Sequence, residues 1–251
     1  MFEPPLNRLV RRLEVDTSPL SQEEKNAILR LPVTIREIGA DQDIVREGDR
    51  PSQCCLILEG FQCRYKMLRD GERQIMSFHV PGDIPDLQSL FLEVMDHSLG
   101  TITPNKVGFI THDALRELIR AQPGIAERLW RETLIDAAIF REWIVNVGSR
   151  DAYTRIGHLI CEFFVRLRSV GLTKGTTFSF PITQTEIADA TGLSTVHVNR
   201  SVQQLRADGL ISIERGVCTI PDFGRLKEAG MFEPGYLHLQ ESATPAASGA
   251  A

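Results

Sequence analysis

The stretch TGLSTVHVNRSVQQL, residues 191–205, combines a glycine turn, a serine and a helix-like run with two different faces. Val198, Val202 and Leu205 recur at the helical period and predict a face packed on a core. The opposite face has one charge and many hydrogen-bonding groups, and consists of Thr195, Val196, His197, Asn199, Arg200 and Gln203. A solvated surface helix usually carries more charge, and a buried helix would not present an arginine there.

The residues before this run predict a second helix joined to it by a tight turn. Thr183-Gln184-Thr185-Glu186 has the spacing of a capping box and predicts a helix that extends to about Ala190. Thr191-Gly192-Leu193 predicts the turn, and Ser194 can cap the next helix by accepting from its free N–H groups. The pattern is that of a helix-turn-helix unit.

The polar face suits the major groove of double-stranded DNA. Arg200 can bind guanine bidentately, Asn199 or Gln203 can address adenine, and Val196 can contact a thymine methyl group. Hydroxyls and N–H groups at helix N-termini can hold phosphates. The predicted DNA-binding set is Thr183, Gln184, Ser194, Thr195, Val196, His197, Asn199, Arg200 and Gln203. The alternative is a protein-interaction module, because winged helical domains also serve that role.

Length, composition and charge place limits on the class of protein. A chain of 251 residues with 42% hydrophobic and 24% charged residues predicts a globular protein of two domains. Residues 1–149 have a net charge of −5, residues 150–230 of +2 and residues 231–251 of −2. The positive segment permits a nucleic-acid partner without requiring one. Five cysteines, an absent signal-like N-terminus and no membrane-length apolar run predict a cytoplasmic protein with no membrane contact.

The N-terminal half predicts two short helices, at 6–13 and 21–30, followed by a β-rich region. Ser21 and Glu24 have capping-box spacing. Short β-like runs separated by turn signals fill residues 33–111 and predict a small antiparallel barrel or jelly roll. Asp70-Gly71 between two of these runs predicts a hairpin with a type I′ turn.

Two helices are predicted next, at 112–121 and at 125–147. The apolar positions of the second helix are too widely distributed for packing on a single surface. It can pair with a second copy of itself, or be buried between two domains of one chain. The predicted self-association residues are Trp130, Leu134, Ala137, Ala138 and Ile144.

Gly148-Ser149 predicts a hinge, followed by a helix at 151–168 and, after residues 183–205, a β-hairpin around Gly216. The predicted fold is α+β: an N-terminal antiparallel β-roll, a long dimerisation helix and a C-terminal winged helix-turn-helix. The domains are 1–122 for the helices and roll, 123–149 for the dimerisation helix and hinge, 150–230 for the winged helix-turn-helix, and 231–251 for a C-terminal tail. Within the tail, ESATPAASGAA, residues 241–251, is predicted to be disordered.

This order of parts resembles the CRP/FNR superfamily of bacterial transcription factors, named after the cyclic-AMP receptor protein and the fumarate-nitrate regulator. The resemblance covers about residues 30–225 and is most specific in ITQTEIADATGLSTVHVNRSVQQLRADGLI, IVREGD, LILEG and VPGDI. It implies a homodimer that binds a pseudo-palindromic DNA site and contacts RNA polymerase. Arg200 matches the family's guanine-contacting arginine. Val196 stands where a glutamate is common, and Thr195 where some members have arginine, so we expect a different half-site.

The segment GDIPDLQSLFLEVMDHSLG, residues 82–100 and hereafter the cassette segment, departs from the nucleotide-binding members. Pro85-Asp86 replaces the ribose-binding Gly-Glu, and His97-Ser98 replaces the phosphate-binding Arg-Ser. Without that arginine a cyclic phosphate loses its charge-assisted hydrogen bonds. We therefore expect a regulator that does not depend on cyclic AMP. The alternative is a regulator gated by an unidentified small-molecule or redox signal in the β-roll. The candidate effector residues are Gly82, Asp83, Asp86, His97 and Ser98, with His97 either a partial anion ligand or a solvated surface histidine.

The cysteines and histidines predict neither a metal site nor a cofactor. No cysteine precedes Cys54, whereas the resemblance implies a cysteine cluster there in the iron–sulfur members. Cys54 and Cys55 are adjacent on a strand and point to opposite faces, so they are predicted as core residues, as are Cys63 and Cys161. Cys218 in the wing is the redox candidate. A cupin-like enzyme would need clustered histidines, but His79, His97 and His112 have no such spacing, and no enzymatic activity is expected.

Overall fold

The computed structural model describes residues 4–15 and 18–239. Two short helices precede the roll: α1 (Asn7–Glu14) and α2 (Gln22–Leu29). The predicted capping box of α2 is present, with Ser21 accepting from the Glu24 N–H and the Glu24 carboxylate accepting from the Ser21 N–H. Seven strands follow: β1 (Thr34–Ile38), β2 (Asp43–Val45), β3 (Gln53–Glu59), β4 (Gln62–Met67), β5 (Arg73–His79), β6 (Ser98–Thr101) and β7 (Asn105–Thr111).

The seven strands form two antiparallel sheets that face each other, and the short β-like runs of the sequence predicted this architecture. Their orders are β1-β7-β3 and β2-β6-β4-β5. Adjacent Cys54 and Cys55 lie in separate core clusters, Cys55 with Leu99 and Val107 between the sheets, and Cys54 under the helices. The antiparallel β-roll and the opposite orientation of these cysteines are confirmed.

The β4–β5 turn differs from the prediction. Of its residues only Gly71 has a positive φ, and Leu68 bonds to Glu72 across the loop. The loop therefore contains Arg69, Asp70 and Gly71, and the predicted type I′ turn at Asp70-Gly71 is wrong. A glycine in the left-handed region after a type I turn closes a three-residue hairpin equally well.

Two helices leave the roll, α3 (His112–Ala121) and α4 (Pro123–Ser149). Helix α4 begins at Pro123, a position that proline favours because the first N–H groups of a helix have no partner. It also continues through Gly148-Ser149, so the predicted hinge there is wrong and the break lies at Arg150, whose backbone is extended. One glycine costs a helix only about 1 kcal/mol relative to alanine.

The C-terminal unit begins with α5 (Ala152–Ser169), capped by the Asp151 side chain. Its remaining elements are β8 (Thr173–Lys174), β9 (Thr177–Ser179), α6 (Gln184–Thr191), α7 (Thr195–Ala207), β10 (Ser212–Glu214), β11 (Val217–Thr219) and α8 (Phe223–Ala229). The predicted hairpin around Gly216 is therefore part of a four-stranded sheet of order β10-β11-β9-β8. The short strands β8 and β9 were not predicted.

The segment after α8 shows that the predicted domain boundary at residues 230–231 is wrong. Phe232 and Leu237 are buried in the same core as α5, and the Tyr236 hydroxyl donates to Glu162 at 2.7 Å. Residues 231–239 therefore form part of the C-terminal unit, so the predicted start of the tail at residue 231 is wrong. The rest of the predicted tail, residues 240–251, lies outside the described residues.

The roll and the C-terminal unit share one apolar cluster. Phe78 of β5 packs against Phe163 of α5 and Trp143 of α4, with ring centroids 5.2 and 6.0 Å apart. Arg73 and Asp189 form an ion pair of 2.8 Å between β5 and α6. The helix-turn-helix is thus held against the β4–β5 hairpin by both apolar and charged contacts.

Candidate DNA-binding surface and effector region

The recognition helix α7 has the two faces that the sequence predicts. Val198, Val202 and Leu205 are buried in the C-terminal core, together with Ile187 of α6. Gly192 adopts the left-handed conformation at φ 65°, which ends α6 and allows the turn into α7. Ser194 caps α7 by accepting from the His197 N–H.

The outward face of α7 is hereafter the DNA face, and all of its residues are exposed: Thr195, Val196, His197, Asn199, Arg200 and Gln203. Val196 is 67% exposed, although exposing an apolar side chain to water is unfavourable in free energy. The first turn of the helix has no acidic residue. The face therefore offers apolar, amide and guanidinium contacts to a groove without repelling phosphate.

The N-terminus of α6 lies beside the DNA face but uses part of its polar groups internally. The Gln184 side chain accepts from the Asn199 amide at 3.2 Å, which connects α6 to α7. The Thr183 hydroxyl donates to the Glu186 carboxylate at 2.8 Å and accepts from the Glu186 N–H. The Thr183 hydroxyl is thus engaged in the capping box of α6.

The wing carries an arginine that the sequence analysis did not include. Arg215 is exposed at the tip of the β10–β11 turn, where it and Gly216 have φ values of 49° and 75°. These two positive φ values indicate a type I′ turn. Arg206 at the end of α7 donates to the Ile213 carbonyl and holds the wing against the helix. The Glu-Arg-Gly sequence at the turn was the available signal.

Helix α4 exposes an apolar row along one side. Trp130 is 69% exposed, Leu134 56% and Ile144 69%, while Ala137 between them is half-buried. These residues, hereafter the α4 stripe, are spaced four, three and seven positions apart, as in a coiled-coil seam. Ala138 is only 5% exposed and lies on the face packed within the chain, so its place among the predicted self-association residues is corrected.

The predicted effector residues do not come together around one cavity. A cavity of about 50 Å³ between the cassette segment, α1 and α4 is lined by Gly82 and Asp83 but not by Asp86, His97 or Ser98. Small-molecule pockets usually have volumes of about 300–1,000 Å³. In this conformation the cavity cannot accept a nucleotide.

Asp83 and Asp86 are engaged within the chain. Asp83 accepts from Arg166 at 2.8 Å and from the Val80 N–H at 3.0 Å. Burial alone would raise the pKa of Asp83, but the charges of Arg12 and Arg166 hold it well below its usual range. The Asp86 carboxylate accepts from the Cys55 N–H at 2.9 Å, and burial raises the pKa of Asp86 to about 7.

His97 and Ser98 also have internal partners. His97 is buried, with Nδ1 2.6 Å from Asp96 and Nε2 3.3 Å from Gln88. Burial lowers the pKa of His97 to about 4, so the ring is neutral at pH 7. The expectation of a solvated surface histidine is therefore wrong, and a neutral ring offers an anion no charge. The Ser98 hydroxyl accepts from the Glu47 N–H at 3.1 Å.

Arg64 supplies the guanidinium that the cassette segment lacks, but from β4. It is buried, donates to Asp136 of α4 at 2.7 Å and to the Pro85 carbonyl, and lies 5.1 Å from the Phe140 ring centre. It therefore joins the cassette segment to α4. The signal in the sequence was an arginine in the interior of a predicted strand.

All five cysteines are buried and reduced. Cys218 faces the C-terminal core, and burial raises the pKa of its thiol to about 12. A thiol of this kind is a poor nucleophile at pH 7, which weighs against the predicted redox role of Cys218. Within residues 4–15 and 18–239 no three metal-ligating side chains cluster, and no helix has the length and hydropathy needed to span a bilayer.

Comparisons with known proteins agree with both halves of the chain. Residues 35–122 match the cyclic nucleotide-binding domain family, and residues 154–229 match the Crp-like helix-turn-helix domain family. The transcriptional activator protein FnrL of Cereibacter sphaeroides is 27% identical over 203 residues, covering 78% of this chain and 80% of FnrL. The nitrogen fixation regulation protein FixK of Bradyrhizobium diazoefficiens is 25% identical, over 75% of this chain and 78% of FixK.

Solved structures with a similar fold come from the same class of regulators. The structure of FixK2 from Bradyrhizobium japonicum superposes with a TM-score of 0.72 at 22% identity, covering 79% of this chain and 98% of FixK2. The c-di-GMP responsive regulator CLP of Xanthomonas campestris gives a TM-score of 0.62 at 15% identity, over 80% and 99% of the two chains. With its roll, its helix-turn-helix and these relatives, the chain belongs to the CRP/FNR superfamily of DNA-binding transcription regulators.

Proposed function

We propose that this regulator acts as a homodimer on a pseudo-palindromic DNA site and requires no cyclic nucleotide. The observation that carries the proposal is the exposed DNA face of α7, with Arg200 and Val196 turned to solvent on a helix whose other face is fully buried. On this face, Val196 stands at the position where the resemblance implies a glutamate. We therefore infer that one half-site position is read by apolar contact with a thymine methyl group.

The α4 stripe supports the dimer. Each helix-turn-helix unit follows the C-terminal end of its own α4, and a two-fold symmetric site requires both units at the same end of the dimer. The two copies of α4 must then run parallel, as in a coiled coil with apolar residues at seven-residue intervals. We expect half-sites about one helical turn apart.

Independence from cyclic nucleotides is supported by the cassette segment. Asp86, which stands at the ribose position of nucleotide-binding members, already accepts from the Cys55 backbone. The cavity beside Gly82 and Asp83 has a volume of about 50 Å³, which is too small for a nucleotide. The alternative is a sensor gated by an unidentified small molecule, which would require the cassette segment to open.

RNA polymerase is the expected second partner and the cytoplasm the expected location, because the relative FnrL is named as a transcriptional activator. A DNA-binding regulator must be in the same compartment as the DNA that it binds. No enzymatic activity is proposed.

The experiment is selection of random DNA by the purified, nucleotide-free protein, followed by affinity measurement with the motif obtained. Arg200→Ala should weaken specific binding by about 1–3 kcal/mol and relax one base position. Arg120→Ala removes the same charge from an exposed position on α3, far from the DNA face, and should leave the motif unchanged. Recovery of the wild-type motif at full affinity by Arg200→Ala would disprove the assignment of the DNA face.

A further inference from the structure

An apolar groove lies between the cassette segment and α4. Its volume is about 430 Å³, and its lining is Leu87, Gln88, Leu90, Phe91, Leu92, Ile119, Ala126, Leu129, Trp130 and Thr133. Phe91 is 74% exposed and Leu92 58% exposed on one wall. Trp130 stands on the other wall. Large exposed apolar groups that adjoin one another usually mark an interaction site.

The wall formed by Phe91 and Leu92, hereafter the apolar tip, is firmly held. It follows a 3₁₀ turn at Leu87–Leu90 whose two leucines are buried. The N–H groups of Phe91 and Leu92 both donate to the Gln88 carbonyl, at 3.0 and 2.9 Å. The apolar tip is thus a preformed surface, and ordering it on contact costs little.

We propose that the groove receives Trp130 of the partner subunit, so that the apolar tip is a second part of the dimer interface. This inference rests on the proposed homodimer. In a parallel pair of α4 helices each residue of the α4 stripe lies level with its own counterpart, and Trp130 is the member of the stripe that borders the groove. The groove and the stripe therefore meet at Trp130.

The partner's Trp130 also fits the groove in size and chemistry. A tryptophan side chain buries about 150–250 Å² on contact, and aromatic anchors of this kind carry most of the affinity in many interfaces. The residues that line the groove, apart from Gln88 and Thr133, are apolar. A two-fold axis creates two such contacts per dimer.

The test compares three leucine-to-aspartate variants by sedimentation equilibrium of the full chain. Leu92→Asp lies in the apolar tip, and Leu68→Asp is its matched control, since Leu68 is 51% exposed just before the β4–β5 loop of the same roll. Leu134→Asp tests the α4 stripe itself. We expect Leu92→Asp and Leu134→Asp each to raise the dimer dissociation constant at least about 10-fold, and Leu68→Asp to leave it unchanged.

The outcomes separate the two proposals. If Leu134→Asp dissociates the dimer and Leu92→Asp behaves like Leu68→Asp, the homodimer stands and the role of the apolar tip is overturned. If neither variant weakens the dimer, the α4 interface is wrong and the inference falls with it. Tryptophan emission in a Trp143→Phe background gives a second measurement: it reports on Trp130 alone and should shift to the blue on dimerisation. No shift on dimerisation would also overturn the inference.

Discussion

Arg166 lies at the junction between the roll and the C-terminal unit, and its replacement tests whether the junction depends on buried charge. Its guanidinium donates to Asp83 at 2.8 Å, to the Phe78 carbonyl at 2.8 Å and to Glu162 at 3.4 Å. All three partners lie in the interior. Arg166→Met keeps an unbranched apolar stem and removes the charge, leaving two carboxylates with less compensation.

We expect Arg166→Met to lower the free energy of unfolding by about 3 kcal/mol. Breaking a buried ion pair by removing one member costs about 3–5 kcal/mol. The lower end applies because Asp83 keeps the Val80 N–H at 3.0 Å and Glu162 keeps the Tyr236 hydroxyl at 2.7 Å. The measurement is urea unfolding followed by circular dichroism at one fixed protein concentration, since dimerisation would change apparent stability.

The loss should depend on pH in a particular direction. In the wild type, the arginine charges hold the pKa of Asp83 well below its usual range against the opposing effect of burial, so this carboxylate stabilises the fold above its unfolded pKa. Burial already raises the pKa of Glu162 in the wild type, and loss of Arg166 should raise it further. The pKa of Asp83 should also rise, although Arg12 continues to oppose the effect of burial there. A group with a raised folded pKa destabilises at high pH, so the deficit of the variant should shrink between pH 7 and pH 5.

Arg168→Met is the matched control. Arg168 is exposed, two positions along the same helix, and its guanidinium lies 5.2 Å from the Phe164 ring centre. Its removal should cost no more than about 1 kcal/mol. If Arg166→Met costs the same as this control, or if its deficit is equal at pH 5 and pH 7, the buried charges do not stabilise the junction.

Two further predictions concern the C-terminal unit. Phe232→Ala should lower the free energy of unfolding by about 3–5 kcal/mol in the same assay, because the ring is fully buried against His158 and Tyr236; a loss near zero would place residues 231–239 outside the cooperative core. Ellman's reagent at pH 7 should modify the five thiols, Cys218 included, only after addition of denaturant, since all are buried; rapid modification of one thiol in the native protein would restore the redox hypothesis.

Local sequence signals predicted the helix-turn-helix because each signal was self-contained. The capping box at Thr183, the left-handed glycine at Gly192 and the cap at Ser194 act within four residues of themselves. The periodic burial of Val198 and Leu205 then follows from the helix period. The β-roll was predicted for the same reason, since alternation and turns are local properties.

The errors fall where contacts distant in sequence decide the outcome. Gly148 remains helical and a Cβ added there would meet no atom within 4 Å, while Arg150 beyond it pairs with Glu142 at 2.5 Å. Residues 231–239 look like a tail in sequence, but Phe232 fills a place in the core of α5. Ala138 and Cys218 were assigned to surfaces because composition alone does not say which side of a wide apolar helix, or of a short strand, faces the core.

The junction also limits how a signal could act on the DNA face. Moving α6 and α7 away from the roll would break the Arg73–Asp189 pair and the bond from Gln74 to the Asp189 carbonyl. It would also expose the Phe78–Phe163 contact. A ligand can shift such an equilibrium only by the difference between its affinities for the two arrangements, and a cavity of about 50 Å³ offers few contacts from which that difference could arise.

We therefore expect dimer concentration to control DNA binding, because the α4 stripe is exposed in the single chain and would be covered in the proposed homodimer. Operator occupancy should rise with the square of protein concentration below the dimer dissociation constant. It should not respond to added cyclic AMP or cyclic GMP. Gel-shift titrations across that concentration range, with and without each nucleotide, measure both effects. A nucleotide-induced rise in affinity at constant dimer fraction would show that the cassette segment opens, and would favour the ligand-gated alternative.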